Sequence, residues 1–250
     1  MWDRPELLDA LANGLFAAAA ALALYAAGLA LVRLPAFPLR EVRVTAPAPH
    51  VAPEQVAAIV KRELRGNFFT LDLGAARAAF EKLPWVRRVA VRRRWPDRLE
   101  VSLEEHVPLA RWDERALVNT HGEVFAGAYD GTLPVFSGPA GTAKEITIQY
   151  AYFRRSLAAI GQVPTQLQVS PRRAWRVKLA SGLTLELGRE SIEARLARFI
   201  AAYGRTIGGL GRRIDYVDLR YPNGFAVRVL QPPVEKAPRR GRRAAHKARA

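Results

Sequence analysis

WVRRVAVRRRWPDRLEV, residues 85–101, holds six arginines in seventeen positions. A run of this kind is either a grip on phosphate or the solvated face of a β-sheet. Val89 and Val91 alternate with Arg88, Ala90 and Arg92, the period of a strand with one apolar face. Trp95-Pro96-Asp97 is a turn cluster, and the alternation resumes with Leu99, Val101 and Leu103 against Glu100, Ser102 and Glu104. A hairpin centred on Pro96 sets Val91 against Val101 and Val89 against Leu103. On its other face it sets Arg92 against Glu100 and Arg88 against Glu104, opposite charges worth about 0.2–1 kcal/mol per pair. A nucleic-acid surface keeps its cations free and interleaves aromatic rings, whereas Trp85 and Trp95 stand at the ends of this run. The stretch reads as an internally paired sheet face, and no specific nucleic acid is expected.

The surrounding chain is basic throughout. Its 250 residues carry 39 Lys and Arg against 23 Asp and Glu, a formal charge of +16. The last twenty, QPPVEKAPRRGRRAAHKARA, contribute seven Lys and Arg and one Glu, or +6. That tail (232–250) has too little apolar surface to offset ordering entropy and reads as disordered, either a solubilising segment or a contact for an anionic polymer. The chain has no cysteine, which excludes a disulfide framework and thiolate metal sites.

Residues 10–32, ALANGLFAAAAALALYAAGLALV, contain no charge. As a helix these 23 positions span about 34 Å, enough for a hydrocarbon core of about 30 Å. The segment is apolar all round, as a lipid-facing helix is. A cleaved signal peptide would start basic and carry a shorter apolar run, but MWDRPELLD holds one Arg against three acids. The expectation is a single-pass anchor that binds the bilayer through residues 10–32, after a short start at 1–9. Charge counting puts Arg33, Arg40 and Arg43 beyond the helix against one arginine before it, which favours a cytoplasmic body. That rule is weak for long translocated domains.

LPAFPLREV is a stiff spacer. Residues 37–105 then read strand, helix, helix, strand, strand: a strand at Leu39–Val44, a helix opening at Pro53 with Val56, Ile59, Val60 and Leu64 on one face, a helix over Asp72–Leu83, and the basic hairpin. Two helices on one face of a three-stranded sheet make a compact α+β module. Residues 106–231 read as a β-rich module with two helices. Strands fall at Leu109–Trp112, Ala116–Asn119, Glu123–Phe125, Gln166–Val169, Trp175–Leu179 and Thr184–Leu187. Thr142 to Glu145 predicts a capping box opening a helix with Ile146, Tyr150, Phe153, Leu157 and Ile160 inward. A second helix, Glu190–Thr206, turns Ile192, Leu196, Phe199, Ile200 and Tyr203 to one side.

The module closes with strands at Ile214–Tyr221 and Phe225–Leu230 around Pro222-Asn223-Gly224, a sequence suited to a type I turn followed by a left-handed glycine. Pairing outward sets Tyr221 against Phe225, Leu219 against Val227, Val217 against Val229 and Asp218 against Arg228. Pro232 and Pro233 forbid a further central strand, so the last strand is an open edge for another chain to pair with. Catalysis is not expected. His50, His106, His121 and His246 have no metal-ligand spacing, no serine sits in a nucleophile elbow, no glycine loop cradles phosphate, and His121-Gly122 reads as a turn. No cofactor or metal is expected.

FPLREVRV (37–44), GNFFTLDL (66–73), LPWVRRVAVRRRWPDRLEVSLEEHVPLARW (83–112), LVNTHGEVF (117–125), SPRRAWRVKLASGLTLELGR (170–189) and VDLRYPNGF (217–225) occur in the order seen in the FtsQ/DivIB family of bacterial cell-division proteins. The chain resembles that family over nearly all of 37–230. The resemblance implies a POTRA-type module, a cytoplasmic amino terminus, one inner-membrane pass, a periplasmic body at the division septum and no enzymatic activity. It implies binding of FtsB and FtsL, with a strand of FtsB added to the terminal strand, and contact with other membrane proteins of the divisome that link early and late division steps to septal peptidoglycan synthesis. By the family's motif Tyr221, Pro222, Asn223, Gly224, Phe225, Ala226 and Val227 occupy the partner-binding turn and strand, which the open edge extends to Arg228 and Val229. Arg172 matches an arginine that meets an acidic partner residue. Strand addition draws affinity from main-chain bonds and selectivity from alternate side chains. The acidic start and the basic tail depart from the family. A POTRA-bearing transport or outer-membrane assembly factor is the alternative, but such chains continue into barrel strands or repeat the module.

Overall fold

The computed structural model describes residues 5–34, 37–45, 48–206 and 214–229. The tail (232–250), Leu230, Pro35 and the first four residues lie outside the described residues. Two compact units divide the chain, the first taking residues 1–108 with 115–120 and 124–130, the second the remainder.

In the first unit α1 (Pro5–Arg33) is one continuous helix, long and apolar enough to cross a membrane, with a mean hydropathy of 2.2 over Asp9–Arg33. From Asp9 to Arg33 its side chains are exposed, Leu15 and Leu24 among them. After α1 come β1 (Glu41–Val44), α2 (Pro53–Glu63), α3 (Leu73–Phe80), β2 (Val86–Arg94) and β3 (Arg98–Glu105). Among the described residues the sheet order is β1-β3-β2, with β1 parallel and β2 antiparallel to β3. Pro53 opens α2, where its missing N–H costs nothing. The Asp72 side chain caps α3, accepting from Gly74 and Ala75 N–H at 2.8 and 3.1 Å. α3 ends at Phe80, short of the expected Leu83, because Pro84 biases the residues before it away from helix. Ile59, Ala79 and Phe80 from the helices bury against Val89, Leu99, Val101 and Leu103 of the sheet.

The β2–β3 register is the one the alternation requires, with Val91 opposite Val101, Val89 opposite Leu103, Arg92 opposite Glu100 and Arg88 opposite Glu104. The ion pairs move by one or two positions. Glu104 takes Arg87 at 2.6 Å and Glu100 takes Arg94 at 3.5 Å. Long arginine stems reach diagonal neighbours as easily as opposite ones, so register does not dictate which charges meet.

β4 (Pro108–Trp112) leads into the second unit. The hairpin β5 (Ala116–Asn119) and β6 (Val124–Phe125) belongs to the first. The second unit continues with β7 (Val135–Ser137), α4 (Ala143–Ala158), β8 (Pro164–Val169), β9 (Trp175–Leu179), β10 (Thr184–Gly188), α5 (Ile192–Thr206), β11 (Ile214–Asp218) and β12 (Ala226–Val229). Its strands run in the order β12-β11-β10-β9-β8-β7-β4. β7 has no counterpart in the sequence reading. Three residues between Pro134 and Gly138 are too few to show a period, yet β7 lies parallel to both β4 and β8 and buries Phe136 completely. Helix α4 packs on β7 and β8, α5 on β10, and the helices touch each other. Leu167, Val177 and Leu185 point into the core while Gln168, Arg176 and Lys178 face out.

The expected capping box at α4 does not form. Thr142 has helical backbone angles and its hydroxyl donates to Pro139 O at 2.7 Å, which removes it as a cap. His121-Gly122 is a turn, with Gly122 at φ +78°. A Cβ there would stand 2.5 Å from Lys144 Cα. Gly122→Ala therefore combines a left-handed backbone with a backbone clash, and we predict a loss of about 2–3 kcal/mol in urea unfolding. A loss below about 0.5 kcal/mol would show that the turn relaxes freely.

Candidate partner-binding edge

The last strand repeats the alternation of a half-buried element. Ala226 and Arg228 are exposed, Val227 and Val229 partly covered. It ends the sheet: among the described residues β12 has β11 as its one neighbour, so its outer row of N–H and C=O groups meets no strand.

Its register departs from the expected one. Val217 pairs with Val227 rather than Val229, Asp218 with Ala226, Tyr216 with Arg228 and Ile214 with Val229, with a bulge between Ile214 and Tyr216. The strands stop at Asp218 and start at Ala226, so residues 219–225 form a loop instead of a tight turn, and Gly224 is not left-handed. A slip of two residues keeps every side chain on its face, so alternation cannot distinguish the two registers. Side-chain anchoring of the loop decides.

That anchoring comes from arginines the sequence reading did not single out. Arg198 on α5 donates from Nη2 to Tyr221 O at 2.9 Å and from Nη1 to Pro222 O. Arg220 holds Asp218 through both carboxylate oxygens, at 2.9 Å (Nε to Oδ1) and 2.6 Å (Nη2 to Oδ2). The Leu219 N–H donates to Glu186 O at 2.9 Å, and Glu186 in turn is paired with Arg176 at 2.8 Å. The Phe225 ring stands 6.2 Å from Phe199 of α5. Arg198 lies 23 and 24 positions before the carbonyls it grips, and no local pattern marks it out from Arg195 and Arg205 of the same helix.

The expected Asp218–Arg228 pair is replaced by two others. Arg228 binds Asp215 through Nη2 at 2.8 Å and lies 5.1 Å from the centre of the Tyr216 ring. Hydrogen bonding from Arg228 holds the Asp215 carboxyl below the usual carboxylate range, and hydrogen bonding from Arg220 does the same for Asp218. Burial is the larger influence on Tyr216 and raises its phenol. Both aspartates are more acidic folded than unfolded. Their stabilisation is thus complete above about pH 4, near the ordinary aspartate pKa, and is lost as pH falls through the depressed values. We predict flat amide protection of β11 and β12 from pH 8 to 5 and a fall below about pH 4. Loss of protection already at pH 6 would point to another group.

Arg172 lies in the β8–β9 turn, exposed. Its neighbour Arg173 has φ +63° and binds Glu145 of α4 at 2.8 Å, which ties the turn to that helix. Trp175 pairs with Gly188, Glu186 with Asp218 and Asp218 with Ala226, so the β8–β9 turn and loop 219–225 share one end of the sheet. β9 and β12 are three strand spacings apart, about 14 Å. Of the remaining expected residues, Tyr221, Pro222 and Asn223 are exposed at this end and Gly224 and Phe225 partly covered.

Two of the histidines are taken up structurally. His50 stacks on Trp85 at 3.9 Å and meets Glu105 at 2.8 Å; His106 stacks on Phe125 at 4.2 Å and meets Asn119 at 2.8 Å. Among the described residues no cluster of three His, Asp or Glu is placed to hold a metal.

Residues 37–106 match the FtsQ-type POTRA domain, and residues 110–220 match the C-terminal domain of cell division protein FtsQ/DivIB. The chain is 45% identical over 233 residues to cell division protein FtsQ of Nitrosospira multiformis, covering 91% of this chain and 99% of that one. It is 44% identical over 237 residues to the FtsQ of Burkholderia pseudomallei, covering 92% and 94%, and 35% identical over 230 residues to that of Neisseria gonorrhoeae, covering 91% and 95%.

Proposed function

The chain belongs to the FtsQ/DivIB family of cell-division proteins, and we propose that it acts there as a non-catalytic scaffold anchored by one helix in the inner membrane. In this reading α1 crosses the bilayer with the amino terminus in the cytoplasm, and both units stand in the periplasm at the division septum. The functional boundaries are a POTRA domain at 37–105 and a β domain at 106–231. The POTRA domain meets earlier-arriving division proteins. The β domain accepts a strand of FtsB, held with FtsL, along β12, and the complex regulates septal peptidoglycan synthesis.

The observation that supports the docking site is the sheet end itself. Among the described residues β12 has an open outer side, its own arginine is neutralised by Asp215, and the loop before it is tied to α5 and β10. An edge held rigid before binding loses little entropy when a strand is added, which favours tight association. Arg172 at the same sheet end supplies a charge for an acidic residue beside the added strand, and governs selectivity and on-rate more than affinity. The test is titration of the full-length chain in nanodiscs with the FtsB–FtsL complex, read by interferometry. Saturable binding that Arg172→Glu weakens about tenfold is the expected result. No binding at micromolar concentration would overturn the reading.

A further inference from the structure

The loop GNFFT, residues 66–70, puts two phenylalanines in a turn, and one of them, Phe69, is 43% exposed. Its organiser is Asn67, whose side chain is buried and fully used. Asn67 Oδ1 accepts from Phe69 N–H, Thr70 N–H and the Thr70 hydroxyl, each at 2.9 Å. Asn67 Nδ2 points the other way and donates to Val32 O at 2.7 Å and Leu34 O at 2.9 Å. Those carbonyls belong to the end of α1, where a helix leaves its last C=O groups without internal partners. A second tie runs from Phe68 N–H to Phe37 O at 2.9 Å. From the sheet side Arg93 donates to Leu71 O at 2.6 Å and Phe69 O at 3.3 Å.

We infer that Asn67 clamps the first unit to the exit of α1 and so holds Phe37, Phe69 and Trp95 in the headgroup layer of the bilayer as an interfacial anchor. The inference rests on the reading that α1 spans the membrane. Its occupant follows from continuity. The carbonyls gripped by Asn67 lie within one turn of the helix end, a rise of about 5 Å, and the polar layer flanking the hydrocarbon is about as thick. Phe37 and Phe69 contact edge to face at 5.1 Å beside that exit. The β2–β3 turn stands at the same end, since Arg40 N–H donates to Asp97 O at 2.9 Å, and it carries Trp95 at 81% exposure. Aromatic rings settle at this depth, and exposed Arg33 and Arg65 beside them supply cations for anionic headgroups. The clamp also gives the unpaired carbonyls of a helix leaving lipid a donor inside the protein.

The chain has no cysteine, so single labels are clean. Bimane, itself an apolar ring, is placed by Ala21→Cys, Phe69→Cys, Trp95→Cys or Ser102→Cys in the full-length chain in phosphatidylglycerol-containing liposomes, and quenched by nitroxide lipids of known depth. The expected result is strong quenching at 21, and at 69 and 95 by the shallow nitroxide at least about threefold above that at 102, as for groups 5–10 Å into the interface. Asn67→Asp keeps the acceptor that organises the loop and removes the donor to α1. It should return 69 and 95 to the level of 102 and leave 21 unchanged, with circular dichroism intact. Quenching at 21 with 69 and 95 no higher than 102 overturns the anchor, while α1 still spans. Quenching at 69 unchanged in Asn67→Asp overturns the clamp. Absence of quenching at 21 sinks the spanning reading and this inference with it. The first and third of these results need no variant at Asn67, so they stand even if Asn67→Asp fails to fold.

Discussion

Proline walked through Ala226, Val227, Arg228 and Val229 is expected to separate into two alternating pairs. In an antiparallel edge strand successive N–H groups point alternately to the neighbour and outward. β12 pairs with β11 on one side, so one pair of positions carries the bonds that hold the strand and the other pair the bonds offered to an added strand. At the inward pair proline removes a ladder bond and lowers the thermal midpoint. At the outward pair it leaves the fold as measured by circular dichroism and removes one main-chain donor while its ring blocks close approach. That is a loss of about 3 kcal/mol, or more than about 100-fold in affinity for FtsB–FtsL. Binding that survives all four folded variants would end the strand-addition mechanism.

Phe199→Ala is expected to have the largest effect on stability. Its ring is fully buried on α5, edge to face with Tyr203 at 5.5 Å and Phe225 at 6.2 Å. Truncation leaves a cavity that the sheet beneath cannot fill, at a cost of about 3–5 kcal/mol. Because Phe225 leads directly into β12, the same cavity should loosen the loop that Arg198 holds, and partner affinity should fall with stability. Urea unfolding checks the first effect and titration of the still-folded variant the second. A cost under about 1 kcal/mol would mean that α5 repacks around the gap. Unchanged binding would place the anchoring of the loop in the hydrogen bonds of Arg198, Arg220 and Leu219.

Much of this edge was legible beforehand. The alternation of residues 214–229 and the prolines that follow place a strand at the sheet end, where β12 stands. The register was not legible, because a slip of two residues preserves the apolar face and only the grip of Arg198 and Arg220 on residues 218–222 chooses between the alternatives. Arg172 was expected through the family motif alone. That its turn shares a sheet end with loop 219–225 comes from β9, β10, β11 and β12 lying side by side, which no local pattern encodes.

Sequence alone determined what depends on neighbours along the chain: α1 from 23 uncharged residues, the β2–β3 register from a short turn between two alternating runs, and the buried faces of α4 and α5 from their periods. Tertiary structure decided what depends on groups brought together from afar. It inserted β7 between β4 and β8, matched Arg228 to Asp215 and Arg198 to the carbonyl of Tyr221, and closed the end of α1 with an asparagine 33 and 35 residues beyond the carbonyls it caps. The division has a physical reason. Periodicity is set by backbone geometry repeated over a few residues, whereas a hydrogen bond from a long or buried side chain is settled by which partner the folded chain places within about 3 Å.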